Sequence, residues 1–281
     1  MTRVDRTDRL MAGVFWAMAL IVASVFFWIV GTIVWNGASA ISWEFLTDEP
    51  ENSGRSGGIG PILVSTGLIL LVAMAVSLPV GIGTAILLAE FTRGGHWFGR
   101  LVRRSLDVLA GVPSIVFGLF GTVFFCQVLG LGFSIWAGGL TLACMVLPIL
   151  IRASEEGLRA IPDHYRLSAA ALGISRTTTL FKLLLPAALP GLMVGFVLGL
   201  GRAAAETAAL LFTSGYVDRQ PESLSDSGRA MTVHIYELAM NVSGGNQNAY
   251  GTALVLVSLL LLTNYLANFL ARKWLGRRIV Y

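Results

Sequence analysis

The chain has 281 residues, of which 55% are hydrophobic and only 13% are charged. Together with a mean hydropathy of +0.74, this composition excludes a soluble globular domain and indicates an integral membrane protein. The net charge of +4 is typical of the basic cytoplasmic segments of such proteins, so we predict no nucleic-acid partner.

Six stretches are long enough to cross about 30 Å of hydrocarbon. They predict an all-α, polytopic membrane protein with six transmembrane helices, at residues 10–35, 61–90, 106–130, 134–152, 191–213 and 250–271. The chain then divides into three parts. Residues 1–9 form a cytoplasmic N-terminal segment, residues 10–271 form the transmembrane domain with the long cytoplasmic loop 153–190, and residues 272–281 form a cytoplasmic C-terminal segment.

The distribution of basic residues predicts the orientation. If both termini lie in the cytoplasm, sixteen of the 20 basic residues fall in cytoplasmic segments, three fall in outer segments and Arg202 lies within a span. Since cytoplasmic loops carry the excess of lysine and arginine, we predict that both termini are cytoplasmic.

Two of the prolines inside predicted spans bear on the shape of those helices. Pro79 in the second span and Pro113 in the third each remove a backbone hydrogen bond, which predicts a helix kink at each position.

Outside the spans, loop 36–60 is acidic and then glycine-rich, and we expect a solvated loop, with contact to an outer partner as the alternative. Loop 214–249 is polar around a helical stretch, Met231 to Met240, to which we assign no chemistry.

Loop 153–190 is far longer than the 2–8 residues that commonly connect helices in bundles. Pro162 opens a short helix, Gly173 ends it, and Ser175 caps a second helix that Pro186 and Pro190 are expected to stop. Two short helices joined at a glycine form a compact knob. Its alanine-rich surface has little side-chain bulk and suits a cleft on another protein, whereas the alternative is a simple connector.

Two charged residues, Arg202 and Glu206, interrupt the apolar run of the fifth span. A charge at the membrane centre costs about 2.5–3.5 kcal/mol on insertion scales, so such residues usually mark a polar pathway. At spacing i, i+4 the two side chains share one helix face, which also carries Gly195, Gly199 and Thr213. We expect this face to pack against protein and to serve a charged solute; the alternative is a self-neutralising pair that only joins helices.

The sequence contains no nucleotide-binding loop, because its only lysines, Lys182 and Lys273, lack the glycine and Ser/Thr context of a P-loop. The three histidines are His96, His164 and His234, and none lies near another in sequence. We therefore predict no metal site, no catalytic constellation and no cofactor bound by this chain.

Gly173 precedes Pro186 by thirteen residues, with leucines between them and alanines before them. This arrangement resembles the cytoplasmic loop of bacterial ABC-importer permeases, in which Glu-Ala-Ala, three residues, Gly and nine residues precede Ile-x-Leu-Pro. The chain departs from this pattern at three positions. Leu167 replaces the Glu that would form one salt bridge to the ATPase, Ser168 replaces the first Ala, and Leu183 replaces Ile. The resemblance implies that the ATPase is contacted through Ser168, Ala169, Ala170, Gly173, Leu185 and Pro186.

Two further segments resemble the permeases of phosphate-specific importers: Leu109 to Gly118, and Gly201 to Ala208. The start Gly58 to Pro61 and the run Glu206-Thr207-Ala208 are more similar to the PstA branch than to the sister PstC branch, which stays as an alternative. The resemblance implies a type I ABC-importer permease architecture in a bacterial plasma membrane. Its implied partners are a PstC-like permease, a PstB-like ATPase dimer that uses ATP with Mg, a PstS-like phosphate-binding protein and membrane lipid.

In this family Arg202, Glu206 and Thr207 would line the substrate pathway. A guanidinium donates hydrogen bonds in a fork that matches phosphate, and Glu206 would orient and neutralise it when no anion is present. A secondary anion transporter without an ATPase is the main alternative, although the chain shows no internal repeat of the kind such transporters carry. A pure assembly protein is a third reading.

Overall fold

A computed structural model describes the backbone of residues 3–92 and 97–276 and the side chains of residues 7–92, 97–269 and 273. His96 and the ends of the predicted cytoplasmic segments, residues 1–2 and 277–281, lie outside the described backbone. The described α-helices are α1 Arg3–Gly37, α2 Trp43–Thr47, α3 Gly60–Ile86, α4 Trp97–Ala110, α5 Ser114–Gly121, α6 Ile135–Arg159, α7 His164–Ala171, α8 Arg176–Thr179, α9 Leu185–Ala204, α10 Ala208–Leu211, α11 Met231–Met240 and α12 Asn246–Gly276.

Short irregular elements complete the described chain. There are three π-helical turns among the described residues. Leu87–Phe91 extends α3, Thr122–Val128 extends α5, and Leu180–Leu184 joins α8 to α9. Two 3-10 turns, Ala38–Ala40 and Asn52–Gly54, and a two-stranded antiparallel hairpin, β1 Pro50–Glu51 with β2 Ser56–Gly57, lie between α1 and α3.

The all-α class is confirmed. Within the described residues, five helices are long and apolar enough to cross a membrane: Thr7–Ala40, Gly60–Phe91, Ile135–Arg159, Arg176–Ala204 and Asn246–Phe269. The predicted number of six is reached if α4 and the extended α5 together count as one span.

The third predicted span, 106–130, is not one helix. The segments Trp97–Ala110 and Ser114–Val128 are bent by 99° at the intervening residues. Pro113 has an extended ψ of 143° and precedes α5, because proline lacks the N–H that would continue α4 and restricts the residue before it. Pro113 therefore separates two helices instead of kinking one, whereas Pro79 lies inside α3, which continues through it.

The core forms around α6, which packs between α3 and α9. Small residues allow the backbones to approach: a Cβ added to Gly139 would lie 2.5 Å from the Val72 side chain on α3. On the other side, a Cβ added to Gly191 of α9 would lie 2.4 Å from the Cα of Gly157. Such close approach through small residues is typical of helix packing in membranes.

Loop 36–60 contains more regular structure than we expected. Ser42 caps α2 by accepting a hydrogen bond from the Phe45 N–H, and the Phe45 side chain is buried. The hairpin β1–β2 follows, and Gly57 adopts a φ of +76° that glycine tolerates best. Loop 36–60 is therefore partly structured, although most of its residues are exposed as expected of a solvated loop. Helix α11 matches the helix predicted over Met231 to Met240.

In loop 153–190 the predicted first helix and its end are confirmed, since α7 is followed by Gly173 with a φ of +69°. Ser175 caps α8 by accepting a hydrogen bond from Thr178 N–H at 3.2 Å. The prediction that Pro186 and Pro190 stop the second helix is wrong, because it continues to Ala204. The π-helical turn before Pro186 changes the hydrogen-bond register there, one of the local adjustments by which membrane helices accommodate proline.

Candidate functional site

The fifth predicted span is interrupted where its charged residues lie. α9 ends at Ala204 and α10 begins at Ala208, so Arg202 and Glu206 do not share one face of a continuous helix as predicted. The break leaves polar groups that other segments satisfy: Thr232 Oγ1, on α11, donates to the Glu206 carbonyl oxygen at 2.6 Å. A buried break of this kind is stable in a membrane only with such partners.

Glu206 is fixed within the protein. Its side chain is 5% exposed, and Oε1 accepts a hydrogen bond from the Ala209 N–H at 3.2 Å at the start of α10. Oε2 lies 3.9 Å from Arg202 Nη2, which is an ion pair too long for a hydrogen bond. The carboxylate therefore anchors α10 and only loosely neutralises Arg202.

Arg202 points into a cavity. Its side chain is 52% exposed and borders an open-sided cavity of about 540 Å³. The other lining residues come from α4, the turn before α5, α5 itself and α6: Asp107, Leu109, Ala110, Gly111, Val112, Phe117, Met145, Pro148, Ile149 and Arg152. Such a volume accommodates a small anion together with water.

The cavity lies at mid-depth in the helix bundle. α6 and α9 run antiparallel, because Gly157 meets Gly191 and Gly199 faces Val146. Arg202 is three residues beyond Gly199, about 4.5 Å along the helix, which brings it close to the level of Met145. Met145 lies about 15 Å from the N-terminal end of α6, within a helix of 25 residues.

Thr207 lies in the same break as the charged pair. It is half-buried and immediately precedes α10, and its carbonyl accepts the Leu211 N–H at 3.0 Å. α10 is held against α5 by a hydrogen bond of 2.6 Å from Thr122 Oγ1 to the Phe212 carbonyl. Of the three residues predicted to line a pathway, Arg202 borders the cavity, whereas Glu206 and Thr207 lie in the adjacent break and are not among its lining residues.

The residues predicted to contact an ATPase separate into two groups. Ser168, Ala170 and Gly173 are exposed on the knob, whereas Ala169 is 4% exposed. Leu185 and Pro186 are half-buried in the first turn of α9, and Leu185 packs into the core beneath the knob. The exposed surface also carries large apolar side chains, namely Tyr165, Leu167, Leu172, Ile174 and Phe181.

Sequence reasoning missed the residue that anchors the knob. Arg166 on α7 donates to Glu90 at the end of the α3 span, at 2.7 Å to Oε1 and 3.1 Å to Oε2. It also donates to the carbonyls of Leu158 and Ile161 at 3.0 and 2.9 Å, closing the C-terminal end of α6. The hydrogen bond to Glu90 raises the pKa of Arg166. Since 76 residues separate the pair, no local spacing could indicate it.

A second charged cluster joins α4 to α6. Glu155 is 9% exposed and accepts hydrogen bonds from Arg103 at 2.8 and 3.0 Å, and Arg159 lies 2.9 Å away. Asp107 on α4 forms an ion pair with Arg152 on α6. Among the described residues no group of three or more His, Cys, Asp or Glu side chains is placed to hold a metal ion.

Comparison with known proteins identifies a family. Residues 77–281 match the family described as "Binding-protein-dependent transport system inner membrane component". The probable ABC transporter permease protein YqgI of Bacillus subtilis is 31% identical, over 97% of this chain and 96% of the relative. Proteins named phosphate transport system permease protein PstA from Yersinia pestis and PstA 2 from Mycobacterium bovis are 33% and 31% identical, each over 93% of this chain and 85% of the relative.

Solved structures share the fold. A bacterial alginate ABC transporter, in complex with a pentasaccharide-bound periplasmic protein, aligns over 95% of this chain and 96% of that chain, with a TM-score of 0.64 and 15% identity. An inward-facing structure of the MetNI methionine ABC transporter aligns over 77% of this chain and 94% of that chain, with a TM-score of 0.57 and 19% identity. At these identities the likeness concerns the fold alone.

Proposed function

The chain belongs to the family of binding-protein-dependent transport system inner membrane components, and we propose that it is the PstA-type permease subunit of an ATP-driven phosphate importer. Relatives named PstA that align over most of both chains support phosphate as the substrate. In this proposal the chain forms half of the translocation pathway and catalyses no reaction, while ATP with Mg is hydrolysed on a separate chain. Family membership favours this function over a secondary anion transporter.

The observation that carries the proposal is the position of Arg202 in the last turn of α9, next to the break before the short helix α10 and beside a cavity at mid-depth. Irregular backbone at this depth occurs where it lines a cavity or is buried in protein, and in transporters broken helices form substrate sites. A guanidinium replaces part of the hydration shell of phosphate with a planar fork of donors. Glu206 and Thr207 support the site from the break beside the cavity, Glu206 by anchoring α10 and loosely pairing with Arg202.

The proposed assembly completes the pathway. A PstC-like permease closes the open side of the cavity, a PstS-like protein delivers phosphate from outside, and a PstB-like dimer binds the knob from the cytoplasm. We place both termini in the cytoplasm of a bacterial plasma membrane, in line with the arginine and lysine distribution. The exposed apolar side chains around Leu167 and Leu172, 70% and 76% exposed, suit a protein partner better than water.

Coupling would pass from the knob to the spans. Ser168, Ala170 and Gly173 are available to the ATPase, and Arg166 connects the same helix to Glu90 on the α3 span. Leu185 and Pro186 lie in α9, the same helix that carries Arg202. A movement of the knob would therefore be transmitted along α9 to Arg202. Closure of the ATPases would thereby switch the cavity between outward and inward access.

The test is transport by the purified assembly. The chain is co-expressed with its neighbouring subunits, the proteins that purify with it are identified by mass, and the complex is reconstituted with ATP enclosed. We expect uptake of labelled phosphate that requires both ATP and the binding protein. Uptake driven by an ion gradient without ATP, or purification without any ATPase, would contradict the proposal.

A further inference from the structure

The cavity beside Arg202 contains a second guanidinium. Arg152 on α6 borders this cavity and forms an ion pair with Asp107 on α4, which borders it as well. The two side chains are 50% and 55% exposed, so water and small ions reach both. Two guanidiniums thus line one cavity, and one of them is paired with a carboxylate that also borders it.

The two guanidiniums are stacked along the depth of the bundle. Met145, Pro148, Ile149 and Arg152 follow one face of α6 and all border the cavity. Arg152 lies seven residues beyond Met145, which corresponds to about 10 Å of helix. Since Arg202 lies close to the level of Met145, an anion that leaves Arg202 towards the knob end of α6 meets Arg152 next.

The pair also stands between two cavities. Asp107 and Arg152 border a neighbouring cavity of about 350 Å³ together with Arg103, Leu106, Glu155, Glu156 and Arg159. This second cavity lies at the end of α6 that leads to the knob. The ion pair therefore lies between the Arg202 cavity and that end of the protein.

The Asp107–Arg152 ion pair can exchange partners more easily than the neighbouring ion pairs of Glu155 with Arg103 and Arg159. Glu155 is 9% exposed and is held by Arg103 and Arg159, so separating it would leave a buried charge. Half-exposed ion pairs contribute little to stability because solvent screens them. An incoming anion can therefore replace the Asp107 carboxylate at little cost.

We propose that Arg152 is a second phosphate position on the cytoplasmic side of Arg202, and that Asp107 competes with phosphate for Arg152 and thereby releases it. This inference rests on the proposed function, because it takes phosphate as the solute and the knob as cytoplasmic. Phosphate oxygens displace the Asp107 carboxylate on arrival. When phosphate leaves, Asp107 pairs with Arg152 again, so the exit position does not retain the anion.

The test uses the complete complex in proteoliposomes, with ATP enclosed and the binding protein outside. Uptake of labelled phosphate is measured while increasing inorganic phosphate is preloaded in the lumen, which corresponds to the cytoplasm. Asp107→Asn removes the competitor and should lower the luminal phosphate concentration that halves uptake by about threefold, as expected for the loss of a half-exposed ion pair. Arg152→Gln should lower uptake about tenfold and weaken luminal inhibition, and Arg152→Lys should restore part of both.

Arg104→Gln is the matched control, because it removes an exposed guanidinium from the same region of α4 and should change neither quantity. Co-purification with the ATPase checks assembly, and if Arg152→Gln does not assemble, Asp107→Asn decides alone. Unchanged luminal inhibition in Asp107→Asn would overturn the inference. Arg202→Gln is measured in parallel: normal uptake by that variant defeats the proposed function, whereas its loss with unchanged luminal inhibition in Asp107→Asn defeats only the second position.

Discussion

Arg166 on α7 binds both carboxylate oxygens of Glu90, so that the knob is connected directly to the end of the α3 span. Both side chains are largely buried, since only 14% of the Arg166 side chain and 15% of the Glu90 side chain are exposed. The pair also places Arg166 against the carbonyls that end α6. One guanidinium thus joins three elements at the point where an ATPase would push.

We predict that Glu90→Gln weakens this connection by about 1–3 kcal/mol, because a largely buried guanidinium loses a charged acceptor. ATP hydrolysis by the complex should continue while phosphate uptake per ATP falls several-fold. Asp163→Asn is the control, since Asp163 is the 70% exposed partner of the same guanidinium and exposed pairs contribute little. Equal transport per ATP in both variants would show that the Glu90 connection does not carry the coupling.

The turn at Gly173 gives a second prediction for the knob. Its φ of +69° would cost a residue with a side chain about 1–2 kcal/mol, so Gly173→Ala should shift or destabilise α7 and lower binding-protein-stimulated ATP hydrolysis. Gly130 has the same φ of +69° in a segment remote from the knob. Gly130→Ala should cost similar stability but leave stimulation unchanged, and equal loss of stimulation in both variants would contradict a specific role of the knob.

The contact between α6 and α9 predicts a large packing effect. A Cβ at Gly191 would lie 2.4 Å from the Cα of Gly157, and backbone atoms cannot move aside without separating the helices. Gly191→Ala should therefore lower the thermal unfolding midpoint, with a cost of about 1–3 kcal/mol. At Gly83 in α3 no heavy atom lies within 4 Å of an added Cβ, so Gly83→Ala should be neutral or stabilising. An unchanged midpoint in Gly191→Ala would mean that the two helices are not in contact as described.

The buried histidine of α11 predicts a pH effect. Burial, and then the charge of Arg229, lower the pKa of His234 to about 3, whereas an unfolded histidine titrates near pH 6.5. Between these values the unfolded chain binds a proton that the folded chain does not, so stability is full above pH 6.5 and falls as the pH drops towards 3. The slope is at most about 1.4 kcal/mol per pH unit.

This effect is measured as the difference in unfolding midpoint between pH 7.5 and pH 5.5. His234→Gln should reduce that difference, whereas His164→Gln, which changes an exposed histidine on α7, should not. The same pH dependence in the His234→Gln variant as in the unaltered chain would exclude His234 as its source.

Local signals in the sequence were sufficient for several elements. Gly173 and Ser175 determine a helix end and a helix start through their own backbone and side chain, and α11 follows from its apolar stretch. The break after Ala204 could not be predicted in this way, because Ala205, Glu206 and Thr207 include no proline or glycine that would end a helix. Its partners come from elsewhere: Thr232 reaches it from α11.

The ion pairs between distant segments could not be predicted from the sequence either. Arg166 and Glu90 lie 76 residues apart, and Arg103 and Glu155 lie 52 apart, so only the folded bundle brings them together. The pattern of basic residues predicts on which side of the membrane they lie, but it does not distinguish an arginine that binds a buried carboxylate from one that faces lipid headgroups. Pro186 shows the converse, since a strong local stop signal was overridden by a π-helical turn.

The central claim is that the Arg202 guanidinium meets phosphate within the pathway, and Arg202→Gln tests it most directly. In proteoliposomes containing the full complex, this variant should assemble with the ATPase and hydrolyse ATP while phosphate uptake is lost. Arg219→Gln, at an exposed arginine of loop 214–249, should transport normally. Uptake by an assembled Arg202→Gln complex at the rate of the unaltered complex would contradict the account.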